Sequence, residues 1–231
     1  LQRTTKCKLV GLRSAAGTFV WEGSGPANIA IAQWAGVSKP PVVDPAAQAE
    51  ILAAVASHPT HPATADGNPV VSVVEVQQAL LDSKPGTSPG LDGLPTLFYK
   101  YNQECLLPLL ARVFSAIGRL ASSPVGFLDG VIVGIFKEGS HDPTLAASYR
   151  PIKLLTIDYR LLAKVLANRL HQVLDDAIAP TQTAFIKGRR IGHNIVTIQL
   201  LMHASPADSQ LVAALLDFTK AYDTLDRPFL L

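Results

Sequence analysis

The chain has 231 residues, 48% hydrophobic and 16% charged, with a net charge of +2. That content fills one large core, or one domain with a smaller leader, and excludes a disordered chain. Cys7 and Cys105 lie far apart in no metal-ligand spacing and read as reduced thiols of an intracellular protein, with no signal peptide and no apolar run long enough to span a bilayer.

Residues 1–41 carry scattered aromatics (Phe19, Trp21, Trp34) and a turn signal at Ala16-Gly17, without sustained periodicity. Asp44-Pro45 is a helix start, Asp as N-cap and Pro at the first helical position, and residues 46–56 follow as helix. Residues 58–69, with three prolines and a glycine, form the predicted boundary. His58 and His61 lack a second ligand pair and read as loop histidines. Ser72 with Glu75 matches a capping box and opens a helix to about Asp82.

Residues 84–95, KPGTSPGLDGLP, hold three Gly and three Pro and cannot form regular structure. They read either as a linker or as a shaped loop whose amides, with Lys84, meet phosphate. Residues 103–120 place Leu106, Leu109, Leu110, Val113, Phe114 and Ile117 on a helical stripe that core packing explains. Residues 131–136 form a strand, Lys137-Glu138-Gly139-Ser140 a turn, and Tyr149-Arg150-Pro151-Ile152 resumes extended structure because the residue before Pro avoids the helical region. Lys137 and Arg150 then flank one loop, free to converge on an anion; taken singly, each is an ordinary surface charge.

Residues 157–178 form the strongest helix, with Tyr159, Leu162, Val165, Leu166, Leu170, Val173 and Leu174 on its apolar side and Pro180 beyond its end. Between Arg150 and Arg190 there are eight basic residues against three acidic ones, a surplus of five that suits an anionic ligand or a solvated helix face. Gly188-Arg189-Arg190 precedes a second helical pattern to about His203.

Residues 211–217, LVAALLD, suit a buried strand, which periodicity alone does not separate from a buried helix, and as a strand they release Asp217 where the chain leaves the core. There the carboxylate either faces a cation or caps the next helix. The chain begins at Leu1 rather than Met and stops at Leu231 within an apolar run, so both ends read as cut.

Taken in order, SPGLDGLP, VIVGIFKEGS, YRPIKLL, DYRLLAKVLANRL, QTAFIKGRRIGHNI and LLDFTKAYD resemble the reverse transcriptase of LINE-type (non-LTR) retrotransposons, and more distantly those of group II introns. The resemblance covers residues 70–231; residues 1–69 look like the linker upstream of the polymerase, partly helical. It implies an α+β fold, the helix-rich fingers and first part of the palm of a right-hand polymerase, truncated. It implies addition of dNTPs to a primer by two-metal phosphoryl transfer, with RNA template, DNA primer, dNTP and element RNA as partners and no membrane. The location it implies is an element ribonucleoprotein in cytoplasm and nucleus.

By the same resemblance Asp217 binds two Mg²⁺ ions, with the Phe218 carbonyl as a further ligand; a carboxylate is right for a hard cation that demands oxygen ligands. Tyr222 matches the steric gate against a 2′-hydroxyl, or is palm core. Lys137 and Arg150 correspond to residues that grip the incoming triphosphate, and Gln182 and Phe185 match a motif beneath the template and nucleotide pocket. Lys84, Arg160, Lys164, Arg169, Lys187, Arg189 and Arg190 are expected along the template–primer backbone, in sequence-independent and salt-sensitive contact.

The chain departs from the family pattern in several places. Phe127 stands for Trp, Phe136 for Pro, Lys153 and Thr156 for Ser and Asn, and His193 for Asp. The second palm motif, Tyr/Phe-Ala-Asp-Asp, is nowhere in the 231 residues. The chain is therefore expected to be inactive alone. A non-catalytic RNA-binding remnant is the second reading, and a helix-rich scaffold the third.

Overall fold

Ser72 opens its helix as the capping box predicts. Its hydroxyl accepts from the Glu75 amide at 3.2 Å, while the Glu75 carboxylate accepts from the Ser72 amide at 2.8 Å. The computed structural model describes residues 11–37, 42–56, 68–204, 214–217 and 225–230. Within them lie strands β1 (Leu12–Arg13) and β2 (Phe19–Val20), helices α1 (Gly25–Val37), α2 (Pro45–Ala56), α3 (Val73–Leu81), α4 (Thr96–Tyr101) and α5 (Gln103–Leu120), and strand β3 (Gly130–Phe136). A 3-10 turn (Ala146–Ser148), strand β4 (Tyr149–Leu155) and helices α6 (Ile157–Ala177), α7 (Ile191–Ala204) and α8 (Arg227–Leu230) complete the order. The architecture is α+β and helix-rich, with two two-stranded sheets among the described residues, β1 with β2 and β3 with β4.

Two compact units divide the chain. One joins His58–Val131 to Leu154–Leu216. Its core is Val76, Ala79 and Leu80 of α3, Leu107, Ala111 and Phe114 of α5, and Ile157, Leu161 and Val165 of α6, with Val71 and Tyr99. Each large side chain there contributes about 1.5–3 kcal/mol of transfer free energy. Ser115 is buried but satisfied, accepting from the Val71 amide at 2.8 Å and donating to the Ala111 carbonyl at 2.7 Å. Burial, reinforced by the charges of Asp158 and Asp92, pushes the Tyr99 hydroxyl up to about 12.

The buried faces are rotated from the expected stripes. On α5 the small Ala111 and Ser115 go inward, whereas Leu109 and Val113 are 54% and 41% exposed. On α6 Leu161 is fully buried, whereas Leu166 and Leu170 are half exposed. Close helix approach selects the small residues and turns flanking leucines to the rim. Helix α7 buries none of its residues.

The second unit joins Leu1–Ser57 to Ile132–Lys153 and Asp217–Leu231. The expected division at residue 69 therefore differs from the observed grouping, because the upstream residues share a core with the hairpin strands. Leu12, Ala30, Ala146 and Tyr149 are buried together, with Ile29, Trp34 and Phe136 packed over them. Asp44 caps α2 as predicted, accepting from the Ala46 amide at 2.9 Å. The predicted linker 58–69 falls largely outside the described residues, which resume at Asn68.

Candidate functional site

Strands β3 and β4 pair as one hairpin, with Lys137 just past the end of β3 and Arg150 near the start of β4. The Lys137 amide donates to the Ser148 carbonyl at 2.8 Å, so the end of β3 lies beside the start of β4. The Lys137 ammonium donates to the Ala147 carbonyl at 2.7 Å, and Arg150 is exposed on the strand just beyond. Gly139 turns the loop with φ +86, a conformation that costs a side-chain-bearing residue about 1–2 kcal/mol. Farther on, Asp142 accepts from the Thr144 amide at 2.8 Å and its hydroxyl at 2.6 Å, and these two bonds hold its carboxyl below the usual range. The Tyr149 hydroxyl donates to the Pro143 carbonyl at 2.8 Å, and its ring meets Phe136 edge-on at 5.4 Å.

Residues 84–95 are a shaped loop rather than a linker. Gly90 lies so close to the start of α6 that a Cβ there would meet the Thr156 nitrogen at 2.5 Å and the Leu155 carbonyl carbon at 2.7 Å. Gly93 takes φ +70 and closes a turn on the Gly90 carbonyl at 3.2 Å. Arg160, one turn into α6, donates to the Thr87 hydroxyl and the Ser88 carbonyl, each at 3.2 Å. Lys84 is exposed, and the Thr156 hydroxyl beneath Gly90 is buried without a partner among the described residues.

Three arginines expected along nucleic acid are committed inside the protein. Besides Arg160, Arg169 donates to both Glu75 carboxylate oxygens, at 2.6 and 3.1 Å, and to the carbonyls of Asn68 and Val70 at 2.7 and 2.6 Å. Arg189 donates to the carbonyls of Ile178, Ala179 and Gln182 at 3.1, 2.7 and 2.9 Å, satisfying the end of α6. A charge count could not find this, because orphan carbonyls leave no mark in sequence. Among the described residues Lys187 and Arg190 are exposed, and Lys164 is half-buried on α6. Between them Phe185 is 84% exposed with φ +64, and Gly188 has φ +85. Thr183 and Ile186 are the buried anchors of this turn, and the exposed Gln182 amide donates weakly to the Ala184 carbonyl at 3.4 Å.

Asp217 is exposed at the end of residues 214–217, which carry no regular structure. The expected buried strand is absent there, and Leu215 and Leu216 are 94% and 90% exposed. A strand is stable only against a partner that takes up its amides and one apolar face, and neither sheet among the described residues includes this segment. Phe218 and Tyr222 lie outside the described residues. Asp226 accepts from the Gln48 side-chain amide at 2.8 Å. Among the described residues no three His, Cys, Asp or Glu side chains converge as a metal site, and no helix is long and apolar enough to cross a membrane. Cys105 is an exposed free thiol, while Cys7 lies outside the described residues.

Residues 135–231 match the family described as "Reverse transcriptase (RNA-dependent DNA polymerase)", a span that takes in Lys137, Arg150, Gln182, Phe185 and Asp217. The "Transposon TX1 uncharacterized 149 kDa protein" of Xenopus laevis is 33% identical over 72% of this chain. The chain belongs to the reverse transcriptases of non-LTR retrotransposons. Another relative, the "Retrovirus-related Pol polyprotein from type-1 retrotransposable element R2" of Nasonia vitripennis, is 31% identical over 61% of the chain. A third, the "Probable RNA-directed DNA polymerase from transposon BS" of Drosophila melanogaster, is 29% identical over 54%. The chain spans 14%, 13% and 14% of these three curated relatives. Its reverse transcriptase family is one of RNA-directed DNA polymerases, which generally use a divalent metal.

Proposed function

We propose that this chain is the fingers and first palm segment of a right-hand RNA-directed DNA polymerase that extends a DNA primer on the element's RNA. The observation that supports this reading is the hairpin: within the matched span the Lys137 amide bonds to the Ser148 carbonyl at 2.8 Å, and Arg150 lies two residues beyond Ser148 on the neighbouring strand. A planar guanidinium and a compact ammonium on one hairpin suit the oxygens of a triphosphate and stabilise charge as phosphoryl transfer proceeds. The Lys137 ammonium, bonded meanwhile to a neutral carbonyl, gains a charge-assisted bond when phosphate arrives.

Asp217 supplies the hard oxygen donor that Mg²⁺ requires, and its exposed carboxylate is free to serve as one ligand, with the Phe218 carbonyl as another. One carboxylate does not hold two ions, and among the described residues no three His, Cys, Asp or Glu side chains converge as a metal site. In the full-length enzyme the metal pair would activate the primer hydroxyl and neutralise the leaving pyrophosphate. The role of this chain's own residues is then to hold the triphosphate with Lys137 and Arg150, bear template–primer on Lys84, Lys164, Lys187 and Arg190, and screen the sugar with Tyr222.

Primer extension tests the reading. The full-length polymerase with Asp217→Asn should lose synthesis while keeping its hybrid affinity, and the 231-residue chain, which lacks Tyr/Phe-Ala-Asp-Asp, should extend nothing. Synthesis by the Asp217→Asn enzyme would refute the metal role. Extension by the chain alone would refute its dependence on the second palm motif.

A further inference from the structure

The loop that joins Lys137 to Arg150 is held by residues far upstream in sequence. The Arg13 amide donates to the Thr144 carbonyl at 2.7 Å, which ties β1 to the loop's main chain. Strand β1 is itself braced by β2, antiparallel, with Leu12 opposite Val20 and Arg13 opposite Phe19. Gly11 permits this pairing, since a Cβ there would meet the Phe19 ring at 2.6 Å and the Val20 carbonyl at 2.9 Å. Helix α1 packs on β1 and on the 3-10 turn of residues 146–148. Leu12 is 1% exposed, and Ala30, Ala146 and Tyr149 are buried with it beneath Ile29 and Trp34.

The loop's internal bonds, each worth about 1 kcal/mol net, do not fix a segment of this length against its conformational entropy. Apolar burial against β1 and α1 adds what they lack. Its two ends are the candidate phosphate cations: Ala147, whose carbonyl receives the Lys137 ammonium, follows the buried Ala146, and Arg150 follows the buried Tyr149. From this geometry we infer that residues 11–37 are a positioning element which orders the 137–150 loop and sets Lys137 and Arg150 for one polyanion. Leu12, Ile29 and Trp34 are positioning residues and touch no substrate. The inference rests on the nucleotide reading above for its ligand, but not for the support itself.

Hydrogen exchange on the 231-residue chain reads the support, and titration with inorganic tripolyphosphate reads its consequence. Trp34→Leu keeps a helix-forming apolar residue while removing the ring. It should speed exchange of the 140–148 amides at least tenfold, leave the α3, α5 and α6 amides unchanged, and weaken tripolyphosphate about five- to tenfold. Combined with Lys137→Ala it should add less than its full loss, because part of the ring's effect acts through the lysine and only the part through Arg150 remains; a general fold defect would add in full. If the α1 amides also lose all protection, Ile29→Val, a single-methyl deletion, is read by the same criteria. Unchanged loop protection, or full additivity with Lys137→Ala, would overturn the inference. A loosened loop in a chain whose wild type binds no tripolyphosphate would uphold the support and overturn the phosphate reading of Lys137 and Arg150.

Discussion

Replacing Glu75 by Gln removes one negative charge while leaving a side chain able to complete the capping box. The Glu75 carboxylate accepts from the Ser72 amide and hydroxyl, each at 2.8 Å, and from two nitrogens of Arg169. The bond from Arg169, the largest influence, together with the Ser72 bonds, lowers the Glu75 carboxyl from 4.5 to about 2 against the opposing effect of burial. Taken whole, that shift is about 3 kcal/mol at 1.36 kcal/mol per pH unit. A third of the Glu75 side chain is exposed, so solvent screening reduces the net contribution to about 1–2 kcal/mol. The folded-state value is the depressed one, so the stabilisation is complete above pH 4.5 and is lost as pH falls from 4.5 toward 2. Urea unfolding followed by helical circular dichroism should place Glu75→Gln about 1–2 kcal/mol below wild type at pH 7 and nearer to it at pH 3. A difference that does not change between pH 7 and pH 3 would show that the pair's charge is not the source.

Two glycines of the Pro/Gly loop should respond differently to alanine. Gly90→Ala drives a Cβ into the Thr156 backbone at 2.5 Å and should cost about 2–3 kcal/mol, whereas Gly93→Ala, with nothing near its Cβ but φ +70, should cost about 1 kcal/mol; equal losses by urea titration would refute the close approach. Arg189→Ala frees the carbonyls of Ile178, Ala179 and Gln182, so amides in the last turn of α6 should exchange faster while those of α3 and α5 do not change. Tyr222→Val in the full-length polymerase should raise ribonucleotide incorporation at least tenfold; unchanged sugar selectivity would leave Tyr222 a core residue.

Local grammar was legible. The Ser72–Glu75 box, the Asp44 cap, the hairpin strands and the ends of α6 follow from residue types within a few positions of one another. Long-range commitments were not. Arg169 is a basic residue on a basic helix, and only its partners ninety-four and more positions upstream reveal a structural clamp. Helix α1 escaped because its apolar residues are spread around the axis and no periodic stripe marks it. On α5 and α6 the stripes were found but turned, since close packing chose Ala111 and Ser115 over larger leucines. The motif around Asp217 identified the family, while its expected strand is absent from residues 214–217, which neither sheet among the described residues includes.

Salt titration of an RNA–DNA hybrid on the 231-residue chain tests the central claim most directly. Affinity should fall linearly on a double-logarithmic scale between about 50 and 200 mM salt, and Lys187→Ala or Arg190→Ala should each lessen the slope by about 1. Arg169→Ala should lower stability and leave the slope as it was in the chain that remains folded. Absence of hybrid binding, or a slope indifferent to both Lys187 and Arg190, would contradict a template–primer surface on this chain.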